Sequence, residues 1–318
     1  MQAIVIDNYG GPEVLNQRQL DTPKPGSKEV LVKVAASSIN PIDFKIRQGA
    51  LKFILNKKFP IVLGHDLSGE VVGLGSQISQ FSVGDNVFGM NQFPNMGAYA
   101  EYVVVKEKYL AKAPLSISSS TSASVPLAAL TALQGLRDFG KLEKGQEVII
   151  NGASGGVGTF AVQLAKQMGA HVTAVCSSKN IDLVLSLGAD VAIDYQQQRF
   201  EDLPTNFDLV FDVVGKSSYT KSRLVMKRKG FYVTTIPAPS AFIWQGLTKL
   251  TQQTATPMWV KSNTGDLNIL GAYIDNNTLK PIVENTYSAE ELHAAMQHAE
   301  TERTVGKLVI KMTFNQDG

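Results

Sequence analysis

The residues best suited to chemistry form a glycine-rich turn near the middle of the chain. An apolar run, Val148–Ile150, leads into Asn151–Gly158, and an apolar helical pattern follows. The order A-x-G-x-x-G lets a backbone turn tightly, approach a pyrophosphate and pack a helix closely on a strand. The amino end of such a helix also attracts phosphate oxygens. We therefore predict a dinucleotide site at Ala153, Ser154, Gly155, Gly156, Val157 and Gly158, with a purely structural turn as the alternative.

The end of the next strand indicates which dinucleotide binds. Sites for NAD place an aspartate or glutamate there, about 20 residues after the turn, to bond the ribose 2′-hydroxyl. In this chain the strand ends at Cys176 and is followed by Ser177, Ser178 and Lys179. No carboxylate repels a 2′-phosphate, and two hydroxyls and an ammonium are suited to hold one. The sequence predicts NADP(H), although Lys179 is also compatible with a solvated residue at a helix start.

Two different sequence patterns along the chain predict two domains of an α/β protein. Short apolar runs separated by glycine and proline extend to Pro114 and indicate a β-rich unit, and a polar linker is expected at Ser116–Ser124. From Glu147 strand and helix patterns alternate, which predicts a doubly wound parallel sheet of the Rossmann type. We predict a cofactor domain at residues 123–265, inserted into a substrate domain made of residues 1–122 and 266–318.

Composition narrows the class of protein. A length of 318 residues suits two domains, and 44% hydrophobic with 18% charged residues describes a globular chain. The net charge of +2, with both signs scattered, argues against nucleic acid as a partner. An N-terminus without a basic and apolar leader, together with Cys176 as the single cysteine, predicts a cytoplasmic location without disulfides.

One long uncharged segment, Phe231–Thr248, has the length of a membrane span. Pro237 and Pro239 interrupt it, and proline breaks the helical hydrogen bonding that a span needs. We therefore predict no membrane span. The segment is expected instead to cover a pocket or to form a subunit contact.

The whole chain resembles the medium-chain dehydrogenase/reductase superfamily. The resemblance rests on six short motifs taken together: Asn40–Asp43, Gly64–Val72, Val83–Val87, Gly97–Tyr102, Leu130–Ala132 and Gly306–Ile310. Within that superfamily the chain is similar to quinone oxidoreductases and 2-alkenal (enone) reductases, including the chloroplast-envelope quinone oxidoreductase homologues. The resemblance implies a GroES-like catalytic domain beside the Rossmann domain, and a homodimer.

The resemblance also implies a site without zinc. Zinc alcohol dehydrogenases of the superfamily carry a cysteine about where Asn40 stands, a His–Glu pair at the position of His65 and Asp66, and a second cysteine later. Because Cys176 belongs to the cofactor domain, this site cannot be built in its usual form. We predict no metal, and a structural role for His65.

Further site residues follow from the same resemblance. Asn40 and Thr131 are expected beside the nicotinamide and substrate, and Lys45 is a possible partner for a developing oxyanion. An Asn-Pro turn also has a structural purpose, and Lys45 is equally compatible with a solvated lysine. Three further predictions concern the cofactor: Tyr195 near the adenosine phosphate, and Val213, Val214 and Gly215 along the nicotinamide.

The missing metal narrows the reaction. Reduction of an isolated carbonyl concentrates negative charge on one oxygen and usually calls for a metal or a strong proton donor. A quinone or an α,β-unsaturated ketone or aldehyde spreads that charge through conjugation. We therefore predict NADPH-dependent reduction of a conjugated carbonyl compound. The alternatives are an enoyl-thioester reductase and a non-catalytic NADPH-binding sensor or structural protein.

Overall fold

The computed structural model describes residues 1–55, 58–204 and 206–314. The chain forms two compact units. The β-rich unit contains Met1–Leu130, Lys261–Asn277 and Pro281 onward, and the parallel-sheet unit contains Thr131–Val260 and Thr278–Lys280. The sequence placed the break at residue 123, whereas the structure places it inside a continuous helix that no turn residue interrupts. The predicted end of the substrate domain, residue 318, lies outside the described residues.

The N-terminal part of the β-rich unit consists of short strands and helices. The strands are β1 (Gln2–Ile6), β2 (Leu15–Gln19), β3 (Glu29–Ser38), β4 (Ile61–Val62), β5 (Asp66–Leu74), β6 (Asn86–Met90), β7 (Tyr102–Lys106) and β8 (Leu110–Lys112). The helices are α1 (Pro41–Arg47), α2 (Lys52–Leu55) and α3 (Ser119–Ala123), and α4 (Pro126–Gln134) leads into the second unit. The run Ser116–Ser124, expected as a linker, therefore contains α3, because the hydroxyl of Ser118 accepts from the backbone N–H of Thr121 and caps the helix.

The parallel-sheet unit alternates strands with helices, as its sequence predicts. The strands are β9 (Glu147–Asn151), β10 (His171–Cys176), β11 (Val191–Asp194), β12 (Phe207–Asp212), β13 (Met226–Thr234) and β14 (Thr254–Pro257). The helices are α5 (Gly156–Gln167), α6 (Ile181–Ser186), α7 (Tyr219–Ser222) and α8 (Pro239–Leu247). The chain then returns to the β-rich unit with α9 (Thr264–Asp275), β15 (Val283–Ser288), α10 (Leu292–Glu300) and β16 (Lys307–Lys311).

Pairing in the β-rich unit joins both ends of the chain. In the larger sheet β16 pairs with β3, β3 with β5, and β5 with β6, all antiparallel. Strand β3 explains why this sheet forms: the buried Val30, Val32 and Val34 alternate with more exposed neighbours, which is the period of a strand with one face in the core. The pairing of β16 with β3 brings the C-terminal motif beside the start of α1.

The strands of the second unit are all parallel and follow the order β11-β10-β9-β12-β13-β14. This is the doubly wound order of the Rossmann fold, in which the direction of winding reverses between the first and fourth strands. Here those strands are β9 and β12. Ligands bind outside the carboxyl ends of the strands at such a reversal. The predicted cofactor turn follows β9, and Val213–Gly215 follow β12, so both lie at this point.

Candidate cofactor and substrate sites

The glycine-rich turn has its left-handed residue at Gly152. Its φ of 92° suits glycine, whereas Ala153, which the sequence motif places in the first glycine position, is buried with ordinary φ. A Cβ on Gly152 would lie 2.4 Å from Cγ1 of Val214. The turn therefore packs against the segment that follows β12, and the predicted residues after the two strands are brought together.

The other two motif glycines have different functions. A Cβ on Gly158 would lie 2.1 Å from the backbone oxygen of Gly152, so this glycine allows α5 to approach the strand. Among the residues that the structure describes, a Cβ on Gly155 would meet only the Gly152 oxygen, at 3.5 Å, and would otherwise project into open space. Helix α5 begins at Gly156, and its first N–H groups are not used by the helix itself. The turn therefore leaves room and donors for an anion.

The segment after β10 is tied to the glycine-rich turn by one residue that the sequence analysis did not include. The side-chain amide of Asn180 donates to Oγ of Ser154 at 3.0 Å and to Oγ of Ser177 at 3.2 Å. Because both hydroxyl oxygens accept from this amide, their own hydrogens are available for another acceptor. Asn180 had no signal in the sequence other than its place directly after Lys179.

Tyr195 lies next to the same segment. Strands β10 and β11 pair with Cys176 opposite Asp194, and the N–H of Tyr195 donates to the Cys176 oxygen at 3.1 Å. Its side chain is exposed, as are those of Ser178 and Lys179. The structure thus brings Ser177–Lys179 and Tyr195 to the carboxyl ends of β10 and β11, where an ammonium, a phenol and the Ser178 hydroxyl are exposed.

A buried carboxylate, Asp212, holds the loop that follows β12 and links it to β9 and β13. Oδ1 of Asp212 accepts from the side chain of Asn151 at 3.0 Å and from the backbone N–H of Gly215 at 2.9 Å. Oδ2 accepts the hydroxyl of Tyr232 at 3.0 Å. Burial and this carboxylate raise the pKa of Tyr232. Asp212, which the sequence analysis also missed, therefore positions Val213–Gly215.

The uncharged segment Phe231–Thr248 contains α8 and lines a pocket of the parallel-sheet unit. The pocket is bounded by Tyr219, Tyr232, Thr234, Ile236, Trp244 and Thr256. Pro239 occupies the first turn of α8, where a proline costs no hydrogen bond. No helix in the described part of the chain is long and apolar enough to cross a membrane.

Asn40 belongs to a buried polar network in the β-rich unit. Its side-chain oxygen accepts from Nζ of Lys307 at 2.5 Å, and its amide nitrogen donates to Oδ2 of Asp66 at 2.8 Å. Asp66 also accepts from the Ser38 hydroxyl and from the Leu127 N–H. Burial raises the pKa of Asp66 and lowers that of Lys307, while the attraction between the two charges opposes both shifts. The network fixes the Asn40 amide and leaves one of its hydrogens for another acceptor.

His65 lies beside this network. Its Nδ1 is 2.7 Å from Oδ1 of Asp43, and Asp43 also accepts the backbone N–H of Asn40 at 2.9 Å. This agrees with the structural role predicted for His65, and Asp43 caps the first turn of α1. Nε2 of His65 is buried and has no hydrogen-bond partner among the residues that the structure describes.

The donor set does not fit zinc. A carboxylate on the far ring nitrogen is the orientation that metal-binding histidines use. However, Asn40 and Asp66 already bind Lys307, whose ammonium lies 3.7 Å from Oδ2 of Asp66. Within residues 1–55, 58–204 and 206–314, no three His, Cys, Asp or Glu side chains are grouped to hold a metal ion.

Lys45 and Thr131, the other predicted catalytic residues, belong to different units. Lys45 lies in α1, half-buried, five residues after Asn40 in the β-rich unit. Thr131 is buried in α4 and is the first residue of the parallel-sheet unit. Their roles remain predictions.

Comparison with protein families matches two segments. Residues 26–115 match the alcohol dehydrogenase GroES-like domain, and residues 187–310 match a family described as zinc-binding dehydrogenase. The first match lies within the β-rich unit, and the second runs from the parallel-sheet unit into the C-terminal part of the β-rich unit. The predicted combination of a GroES-like domain and a Rossmann domain is confirmed.

Individual relatives extend the match to nearly the whole chain. A chloroplastic quinone-oxidoreductase homologue of Spinacia oleracea is 33% identical over 98% of this chain and 98% of its own length. An NADPH-dependent alkenal/one oxidoreductase of Arabidopsis thaliana is 34% identical over 98% of this chain and 79% of its own. The solved structure of a quinone oxidoreductase from Coxiella burnetii has a TM-score of 0.91 at 34% identity and covers 98% of this chain and 99% of its own.

Proposed function

The chain belongs to the medium-chain dehydrogenase/reductase superfamily, in the group of quinone and alkenal/one oxidoreductases, and on this premise we propose that it reduces conjugated carbonyl compounds with NADPH. The observation that carries the proposal is the network around Asn40. Asn40 stands about where the resemblance puts a zinc-binding cysteine in metal-dependent relatives, and its amide is held by Lys307 and Asp66. We propose that this amide supplies modest hydrogen bonding in place of a Lewis acid.

The cofactor half of the proposal rests on the parallel-sheet unit. The open space beside Gly155 and the amino end of α5 suit a pyrophosphate. Ser177 and Lys179 present a hydroxyl and a cation without a carboxylate at the position that distinguishes the two dinucleotides. These residues fit NADPH, which when bound supplies a hydride. Val213–Gly215, fixed by Asp212, are proposed to lie along the nicotinamide, and Tyr195 near the adenosine phosphate.

The substrate half follows from the charge that must be stabilised. In an enone the hydride adds to the β-carbon, the negative charge is shared between the α-carbon and the oxygen, and a proton from water completes the α-carbon. In a quinone the hydride and one proton give the hydroquinone. Because conjugation disperses the charge, a single amide hydrogen of Asn40 is enough to assist, with Lys45 and Thr131 as further proposed contacts. An isolated aldehyde offers no such dispersal.

The proposal is tested with matched acceptors. Oxidation of NADPH is followed with trans-2-hexenal and with hexanal, which differ by one double bond, and with 9,10-phenanthrenequinone and 1,4-naphthoquinone. We expect turnover of the hexenal or a quinone and at least about a hundredfold lower kcat/KM for hexanal, which corresponds to about 2.7 kcal/mol of transition-state stabilisation. A chelator should leave the rates unchanged.

Other outcomes would contradict the proposal. Preference for hexanal together with inhibition by the chelator would restore a metal-dependent alcohol dehydrogenase. Turnover restricted to crotonyl-thioester would identify an enoyl-thioester reductase. Tight NADPH binding without oxidation by any acceptor would identify a non-catalytic NADPH-binding protein.

We also propose that the protein is a cytoplasmic homodimer. The sheet of the second unit ends in the open edges of β11 and β14, and open edges can pair between copies. The chain has a mass of 34.4 kDa, and light scattering should give twice that mass. A monomer at micromolar concentration would contradict the assembly. Imaging of the tagged full-length protein tests the location.

A further inference from the structure

The charges of the chain are unevenly distributed. Between Asp212 and Asp266 the sequence contains eight lysines and arginines and no aspartate or glutamate, although the whole chain carries a net charge of only +2. Five of these cations lie in the short stretch Lys221–Lys229. The remainder of the chain is therefore net acidic, and the positive charge is concentrated in one part of the parallel-sheet unit.

The structure brings close together the segments that carry several of these cations. The side-chain amide of Gln253 donates to the backbone oxygens of Arg223 at 3.1 Å, Met226 at 3.3 Å and Lys227 at 3.2 Å. These bonds place the turn Thr248–Leu250 and the start of β14 beside the loop that leads into β13. We define the basic leucine face by Lys221, Arg223, Leu224, Arg228, Lys229, Lys249 and Leu250, all of them exposed.

Two features separate this face from an ordinary charged surface. First, cations of this face lack counter-charges: within the described residues, Arg228 and Lys229 form no ion pair. The adjacent Lys227, in contrast, binds Asp208 at 2.7 Å. Second, both leucines of this face are highly exposed to solvent: Leu224 is 74% exposed and Leu250 is 89% exposed. Isolated apolar tips among free cations are the composition of surfaces that dock on anionic lipid, where headgroups attract the cations and the apolar tips enter the interface.

We propose that the basic leucine face docks the protein on the surface of an anionic membrane. A second copy of the chain would oppose like charges with no acid to pair them, which disfavours a subunit contact here. A nucleic-acid backbone would use the cations but would gain nothing from the two leucines. The face adjoins the amino ends of β12 and β13, where Phe207 pairs with Met226, so docking leaves the cofactor edge at the carboxyl ends free.

The test is co-sedimentation of the full chain with vesicles of phosphatidylcholine alone and of phosphatidylcholine with phosphatidylglycerol in equal parts. We expect binding to the anionic vesicles only, and weaker binding at 300 mM than at 50 mM NaCl because salt screens the cations. The double variants Arg228→Glu/Lys229→Glu and Leu224→Ser/Leu250→Ser should each lower the partition coefficient at least about tenfold.

A charge-matched control distinguishes the face from a general effect of net charge. Lys24→Glu/Lys28→Glu reverses two exposed lysines of the β-rich unit and should change partitioning less than about twofold. Equal loss in both charge-reversed proteins, or no binding by the wild type, overturns the proposal. So does loss of binding in the arginine–lysine variant with full binding in the leucine variant, which would indicate a polyanion other than a membrane. A leucine variant that changes the oligomeric state would show a subunit contact instead.

NADPH binding by each variant verifies that the cofactor unit is folded, so failure of the docking proposal does not bear on the proposed reaction.

Discussion

At the scale of single residues, Asn180 determines what the turn after β10 offers to a ligand. Because its amide donates to both Ser154 and Ser177, the two hydroxyls are left as donors, which suits a phosphate better than a ribose hydroxyl. Replacing Asn180 with Asp keeps the shape, turns a donor into an acceptor and adds a negative charge. We expect N180D to raise the Kd for NADPH at least about tenfold, or about 1.4 kcal/mol, and to change the Kd for NADH less than twofold.

The matched control is Asn206→Asp, an exposed asparagine of the same unit, which should alter neither constant. Fluorescence titration with both dinucleotides measures the effect. Equal losses for NADPH and NADH in N180D would show that Asn180 supports the loop as a whole and not the 2′-phosphate.

In the β-rich unit, the buried charge of Asp66 depends in the same way on a single residue, Lys307. Its ammonium is the counter-charge of the buried Asp66 and also binds the Ile39 oxygen at 2.8 Å. Removing one partner of a buried ion pair leaves an uncompensated charge, at a typical cost of about 3–5 kcal/mol. We expect Lys307→Met to lower the free energy of unfolding by about this amount in urea titrations, and Lys307→Met/Asp66→Asn to recover part of it.

Lys311→Met, at the exposed end of the same strand, is the control and should cost less than about 0.5 kcal/mol. If the two methionine variants are equally stable, Asp66 does not depend on Lys307 for its charge.

At the scale of elements, two glycines of the turn between β9 and α5 are expected to affect different properties. One affects the stability of the fold and the other affects ligand binding. A Cβ at Gly158 would collide with the Gly152 oxygen, so Gly158→Ala should cost about 1–3 kcal/mol of stability through forced displacement of α5. A Cβ at Gly155 projects into the open space proposed for the pyrophosphate. Gly155→Ala should therefore leave thermal unfolding nearly unchanged and weaken NADPH at least about tenfold.

Gly246→Ala in α8 provides the control, because among the described residues no atom outside the adjoining helix backbone lies within 4 Å of the added Cβ. It should be neutral or stabilising by up to about 1 kcal/mol, as expected for alanine in a helix. If G155A loses stability as G158A does, the space beside Gly155 belongs to the core and not to a ligand.

The elements also show what the sequence could predict. The bounds of β9 and β10 follow from their apolar runs, because strands covered on both faces are apolar throughout and end at turn residues. Helix α8 was not predicted, since Pro237 and Pro239 mark a break in the segment unless one of them stands in the first turn of a helix, as Pro239 does. The partners of Asn40 could not be predicted from the sequence either. Lys307 follows Asn40 by 267 residues, and the pairing of β16 with β3 brings the two together.

At the scale of the whole molecule, a preference for one dinucleotide can be measured as a difference in thermal stability. A ligand that binds only the folded state adds about 2.7 kcal/mol at a concentration of 100 times its Kd. For a chain of this size that corresponds to a rise of several degrees in Tm. NADPH at a fixed concentration should therefore raise Tm by several degrees, and NADH at the same concentration should raise it less, because it lacks the phosphate that Ser177 and Lys179 are proposed to hold. The G155A protein should show neither rise. A larger shift with NADH would contradict the NADPH preference, and any transition that stays unmoved in the same scan would report separate unfolding of the β-rich unit.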